Sequence, residues 1–191
     1  MRRLAVVLAG LLLLAGCGTP FTATTGGTET APPLPGTFND TDVMFLQMLV
    51  PSHEQGVEMA RLAARRAGDA DVRELAAAVE VTQRDEIGEM TRRLRAWHQP
   101  VTVDPDPRAH AGHGGLHGTD PAFVETLRET PAGPDFDRDF LNLLTGQQLG
   151  AVELARMETG RGKDSGARDL AERIVASRTA QIKQMARLLA R

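Results

Sequence analysis

The sequence predicts an all-α protein, a four-helix bundle made of two repeated helical hairpins. Residues 45–61 return as residues 140–156, which lie 95 positions later without a gap. Residues 75–90 return as residues 170–185 at the same spacing. Within these segments apolar residues recur every three or four positions, as on one face of a helix. Because one hairpin cannot bury its apolar face alone, we expect the two copies to pack together.

The composition suits a single domain and gives no sign of nucleic acid binding. The chain has 191 residues, of which 41% are hydrophobic and only 4% aromatic, so its core is expected to consist of aliphatic residues and methionine. Its formal net charge is −3 at pH 7. A nucleic-acid partner would require a basic surface, and this charge balance does not provide one.

The first 17 residues have the pattern of a lipoprotein export signal. Two arginines precede an apolar run, and small residues precede Cys17. The run is too short to span a membrane, and its end, Leu-Ala-Gly-Cys, resembles a bacterial lipobox. We therefore predict that residues 1–16 are a signal peptide and that lipidated Cys17 holds the protein at the outer face of the cell membrane. An ordinary secretory signal is the alternative. Because Cys17 is the only cysteine, no intramolecular disulfide can form.

A tether is expected between the lipid anchor and the bundle. Residues 17–39 are rich in Thr, Pro and Gly and have almost no apolar periodicity, which is typical of a flexible connection. The bundle is predicted to occupy residues 40–191. Asn39, Asp40 and Thr41 can each cap the N-terminus of its first helix.

Each predicted hairpin consists of two long helices with a short break between them. The first hairpin covers residues 41–97 and the second covers residues 135–191. Short connections between long helices favour antiparallel neighbours. A linker that contains His and Gly, residues 98–134, joins the hairpins and has room for one short helix at 122–130.

The motifs on the first hairpin resemble those of a known family. The family pattern reads Phe-x-x-x-Met-Ile/Val-Pro-His-His-x-x-Ala-Val-x-Met-Ala, followed by Gln-x-x-Glu-Ile-x-x-Met. The matching positions here are Phe45, Leu49, Val50, Pro51, Ser52, His53, Gly56, Val57, Met59, Ala60, Gln83, Glu86, Ile87 and Met90. On these residues the chain resembles domain of unknown function 305 (DUF305). The resemblance implies a ferritin-like helical bundle in the bacterial envelope and, for some members, an association with copper.

The chain departs from the family pattern at the positions that would bind metal. Its first copy keeps one of the two histidines, as Ser52-His53, and its second copy has two glutamines there. In the second copy Arg178 replaces the expected glutamine and Gln181 the expected glutamate. Since an inward arginine opposes any bound cation, we expect a degenerate metal site that binds metal at most weakly.

The repeat also predicts a buried ion pair. If the second and fourth helices face each other across an axis that relates the two copies, Glu86 and Arg178 approach one another. We therefore expect an ion pair in the space of the lost metal.

The candidate metal ligands on the helices are His53, Met48, Glu86 and Met90. Imidazole binds Cu(II) or Zn(II), and thioether sulfur prefers Cu(I), so copper or zinc is the ion implied. A hydrogen-bonded core histidine is the alternative for His53. Core packing is the alternative for the methionines, because methionine commonly fills irregular interior space.

A second candidate metal site lies in the linker. His110, His113 and His117 fall within the segment HAGHGGLH, where the glycines would let several imidazoles converge on one ion. The alternative is a polar connector that happens to be rich in histidine.

No residue pattern supports an enzyme. His53-Glu54 begins like the zinc-protease motif His-Glu-x-x-His, but Val57 stands at the fifth position. None of the histidines has a glutamate three residues before it, as bundle di-iron enzymes require. We expect a non-enzymatic, lipid-anchored envelope protein of a copper-associated family. An interaction or scaffold lipoprotein that binds no metal is the alternative.

Overall fold

The computed structural model describes residues 37–102 and 119–191, and these form five helices with no strand among them. The helices are α1 (Asp40–Arg66), α2 (Ala70–Ala96), α3 (Pro121–Glu129), α4 (Pro134–Arg161) and α5 (Ser165–Leu189). The predicted all-α class is therefore confirmed over these residues. Cys17, His110, His113 and His117 lie outside the described residues, as do the predicted signal peptide and most of the tether.

The first helix begins at a capping box. The Asn39 side chain accepts hydrogen bonds from the backbone N–H groups of Thr41 and Asp42, at 3.0 and 3.1 Å. The Asp42 carboxylate accepts in return from the N–H of Asn39 at 2.6 Å. One residue earlier, the Phe38 ring stacks on Trp97 with 4.6 Å between ring centroids. Asn39, one of the three predicted caps, thus begins the first helix, and Phe38 before it packs on the end of the second.

The four long helices pack in two pairs that contact each other. α1 lies along α2, α4 lies along α5, and α1 also lies along α4. Connections of three residues, 67–69 and 162–164, join the members of each pair, so the chain reverses direction there. The short α3 rests on α1 and α4. Over the described residues, no helix combines the length and the apolar character that crossing a bilayer requires.

Buried apolar side chains form two separate clusters. The first joins the N-terminal part of α1 to the C-terminal parts of α2 and α4 and the N-terminal part of α5, and it contains Met48 and Met90. The second joins the C-terminal parts of α1 and α5, the N-terminal parts of α2 and α4, and α3. Along every long helix the residues between the two clusters include polar ones. The polar side chains are therefore concentrated near the middle of each long helix, between the two apolar clusters.

Candidate functional site

A layer of polar side chains separates the two apolar clusters, and we call it the central polar layer. Each long helix contributes two residues to it, and most of them are buried. Its members are Ser52 and His53 on α1, Gln83 and Glu86 on α2, Gln147 and Gln148 on α4, and Arg178 and Gln181 on α5. Because buried polar groups are costly unless they are hydrogen-bonded, the bonding within this layer decides what it can do.

Three members of the layer form a charged triad. His53 Nε2 lies 2.8 Å from Glu86 Oε2, and Arg178 Nη2 donates to the same oxygen. The distance from Arg178 Nη2 to His53 Nε2 is 3.3 Å. The side chains of His53 and Arg178 are 0% exposed and that of Glu86 is 11% exposed. The structure therefore brings together His53 and Glu86, two predicted ligands, with Arg178, the predicted partner of Glu86.

The hydrogen bonds set the tautomer of His53. A carboxylate only accepts, so the short contact with Glu86 requires the hydrogen on His53 Nε2. Arg178 Nη2 and His53 Nε2 are then two donors that a shared acceptor draws together. His53 Nδ1 carries the lone pair, and it has no hydrogen-bond partner among the described residues. Burial lowers the pKa of His53, Glu86 opposes that shift, and Arg178 adds to it, so the imidazole is neutral at pH 7.

Glu86 and Arg178 carry the charges of the triad. Burial acts to raise the pKa of Glu86, but the hydrogen bond from His53 and the charge of Arg178 outweigh it, and the pKa falls below its usual value. Burial lowers the pKa of Arg178, and Glu86 opposes that shift. The triad is thus one carboxylate, one guanidinium and one neutral imidazole, and its net charge is zero.

The glutamines of the layer form a neutral counterpart. Gln148 Nε2 donates to Gln181 Oε1 at 3.0 Å. Gln147 Nε2 donates to the backbone oxygen of Ser52 at 2.5 Å, and Gln147 Oε1 accepts from Gln83 at 3.2 Å. These side-chain amides link helices without any charge.

Comparison with known proteins identifies the family. The family model described as "Domain of unknown function (DUF305)" matches residues 42–189. The chain belongs to this family. No curated protein sequence matches it significantly.

Solved DUF305 structures share the fold. A DUF305 protein from Streptomyces coelicolor, thought to be secreted, is 30% identical with a TM-score of 0.72, over 78% of this chain and 92% of that one. A DUF305 fragment from Deinococcus radiodurans is 25% identical with a TM-score of 0.69, over 82% of this chain and 98% of that one. CopM in its Cu(II)-bound form is 26% identical with a TM-score of 0.64, over 78% and 95% of the two chains.

In this DUF305 chain an arginine occupies the space beside the two candidate ligands of the triad. The Arg178 guanidinium lies beside both Glu86 Oε2 and His53 Nε2, and its positive charge opposes a cation at these two residues. In the described residues, no three His, Cys, Asp or Glu side chains are arranged to hold a metal ion. Met48 and Met90 are 2% and 0% exposed within the first apolar cluster, so their observed surroundings are those of core residues.

Two aspartates outside the layer were missed by the sequence interpretation. Asp42 accepts from the backbone N–H groups of Lys163 and Asp164, at 3.0 and 2.9 Å. Asp137 accepts from the N–H groups of residues 68–69, at 2.9 and 2.8 Å. Each aspartate thus fixes the connection between the helices of the other pair. Their separation equals the repeat spacing, and this was the signal that could have revealed them.

Proposed function

We propose that this protein is a lipid-anchored DUF305 protein of the bacterial envelope whose central metal site has degenerated, so that it binds metal at most weakly and has no enzymatic activity. The observation that carries the proposal is Arg178, which is fully buried against Glu86 and His53. CopM, a relative with this fold, is known in a Cu(II)-bound form, which supports a copper association for the family.

The energetics argue against copper at the triad. A metal ion at His53 and Glu86 would have to displace the guanidinium and leave it buried without its partner. Breaking a buried ion pair in this way costs about 3–5 kcal/mol. Since each 1.4 kcal/mol is a factor of ten, copper would bind about two to four orders of magnitude more weakly than it would without Arg178.

The remaining parts of the proposal rest on sequence and on matched contacts. Residues 1–16 and Cys17 support export followed by lipid anchoring, with the membrane surface as the partner. We also propose a four-helix bundle made of two related hairpins. The equivalent contacts of Asp42 and Asp137, made at the repeat spacing, support that arrangement.

Metal titration of the mature, lipidated chain tests the proposal. We expect weak binding of Cu(II) or Zn(II) that H53Q leaves unchanged, because the Arg178 guanidinium beside the imidazole repels a cation there. The triple variant H110Q/H113Q/H117Q should lose whatever binding the linker provides. R178Q, which restores the family glutamine, should bind Cu(II) at least about a hundredfold more tightly.

The outcomes separate the two candidate functions. Tight copper binding by the wild type that H53Q abolishes would overturn the degenerate site. No binding heat and no change in melting temperature with any metal, in the wild type and the linker variant, would instead favour an interaction or scaffold lipoprotein.

A further inference from the structure

Glu158, on α4, lies in an unusual environment for a glutamate. Its side chain is 0% exposed, and neither carboxyl oxygen accepts a hydrogen bond within the described part of the chain. The carboxyl groups of Asp42 and Asp164 face it, and Asp42 accepts from the N–H of Lys163, which follows the glycine that Glu158 packs against. Three carboxyl groups therefore meet where the α4–α5 connection contacts the start of α1.

The carboxyl groups of Asp42 and Asp164 already accept hydrogen bonds from other groups. Asp42 accepts from the backbone N–H groups of Asn39, Lys163 and Asp164, at 2.6, 3.0 and 2.9 Å. Asp164 Oδ1 accepts from Arg93 Nη1 at 2.7 Å and also caps α5. Ionised carboxylates suit both roles, since charged acceptors make the stronger hydrogen bonds.

A third negative charge at this point would lack compensation. Asp42 faces Glu158 from α1 and Asp164 faces it from the connection. Among positive groups, Arg168 faces it from α5, while Arg93 of α2 is bonded to Asp164. Two carboxylates that share a site cannot both ionise easily, because like charges at short range in a buried site repel strongly.

We propose that Glu158 holds a proton at neutral pH and donates it to Asp42, so that an acid–carboxylate hydrogen bond ties the α4–α5 connection to the start of α1. Burial, together with Asp42 and Asp164, raises the pKa of Glu158 to about 9. The same bond helps to lower the pKa of Asp42 against the opposing effect of burial. Proton binding at Glu158 therefore makes this contact sensitive to alkaline pH.

The local packing accommodates this carboxyl group. A Cβ atom on Gly162 would lie 2.1 Å from Glu158 Oε1, so the glycine leaves the space that the carboxyl fills. At the repeat spacing, the counterparts of Glu158 and Gly162 are Ala63 and Ala67. The second copy therefore has a large residue next to a glycine where the first copy has two alanines, and we call Glu158 and Gly162 the fitted pair.

The direction of the pH dependence follows from the two pKa values. Between the ordinary value of 4.5 and the folded value of about 9, the folded chain holds one proton more than the unfolded chain. The stabilisation is fully present below pH 4.5 and is lost as the pH rises towards 9. Across this window Glu158 makes the unfolding constant rise about tenfold per pH unit, which is about 1.4 kcal/mol.

E158Q on the full mature chain tests the proposal, because glutamine can still donate to Asp42 but cannot titrate. Denaturant unfolding between about pH 5.5 and 8.5 should show the wild-type unfolding constant growing about tenfold per pH unit relative to E158Q. E153Q, at an exposed glutamate of the same helix, should keep the wild-type slope. Equal slopes for wild type and E158Q would overturn the proposal.

Two measurements on the wild type keep the test decisive if E158Q does not fold. With ¹³C-labelled glutamate, one carboxyl carbon should keep its protonated chemical shift at pH 7 and titrate near pH 9. If every glutamate titrates below about pH 6, as unperturbed carboxyls do, Glu158 holds no proton. If Ca²⁺ or Mg²⁺ raises the melting temperature and lowers that carbon's titration midpoint, the three acids form a cation site and the proposal is overturned.

Discussion

The two copies of the repeat have different pairs of polar side chains at matching positions in the central polar layer. In the first copy, His53 bonds Glu86 at 2.8 Å. In the second copy, Gln148 bonds Gln181 at 3.0 Å, and these residues lie at the matching positions. Each pair thus joins the two helices of its own copy at the same two repeat positions. The amide pair needs no charge, whereas the imidazole–carboxylate pair carries a negative charge that Arg178 neutralises.

Removing Arg178 should cause the largest loss of stability of any change to the central polar layer. R178M leaves Glu86 buried beside a neutral imidazole, and breaking a buried ion pair in this way costs about 3–5 kcal/mol of unfolding free energy. Urea denaturation at pH 7 measures the loss. R173M is the matched control, since Arg173 is 57% exposed on the same helix and its ion pair with Glu89 should contribute under about 1 kcal/mol.

The double variant E86Q/R178Q turns the charged part of the layer into a neutral one. Replacing both members of a buried ion pair is often neutral or stabilising by about 1–4 kcal/mol, so this variant should be at least as stable as the wild type. If R178M costs no more than R173M, or if the double variant is as unstable as R178M, charge neutralisation is not what Arg178 contributes.

The two aspartates that hold the connections give the second comparison. Both oxygens of Asp42 accept hydrogen bonds, from three backbone N–H groups in total, whereas Asp137 accepts from two. We expect D42N to cost about 2–3 kcal/mol and D137N about 1–2 kcal/mol, because an amide leaves at least one donor without an acceptor. Thermal and urea unfolding of both variants check this order. Equal losses would show that the third donor and Glu158 add nothing at Asp42.

The helices and the central ion pair could be predicted from sequence because each depends on spacing. The 3.6-residue period places apolar residues on one face, and the 95-residue repeat makes Arg178 the counterpart of Gln83, which lies one helical turn before Glu86. The repeat spacing of Asp42 and Asp137 was a signal of their shared role, but it was overlooked because an acidic residue in the first turn of a helix is ordinarily explained by the helix dipole. Glu158 was hidden for a similar reason, since its repeat counterpart is Ala63 and a lone glutamate on a helix predicts a surface residue.

The fitted pair at the end of α4 gives the smallest and most local test. G162A places a methyl group against Glu158 and should cost about 1–2 kcal/mol by overpacking. In the E158A background the same change reproduces the Ala63 and Ala67 pair of the other connection. Only the contact of the added Cβ with the backbone oxygen of residue 158, at 2.8 Å, then remains, so the cost should fall below about 1 kcal/mol. G160A is the control, because no atom lies within 4 Å of its added Cβ. The double-mutant cycle should give a coupling energy of at least about 1 kcal/mol. If G162A has the same effect in both backgrounds, the glycine does not make room for the Glu158 carboxyl, and the two residues differ from their counterparts independently.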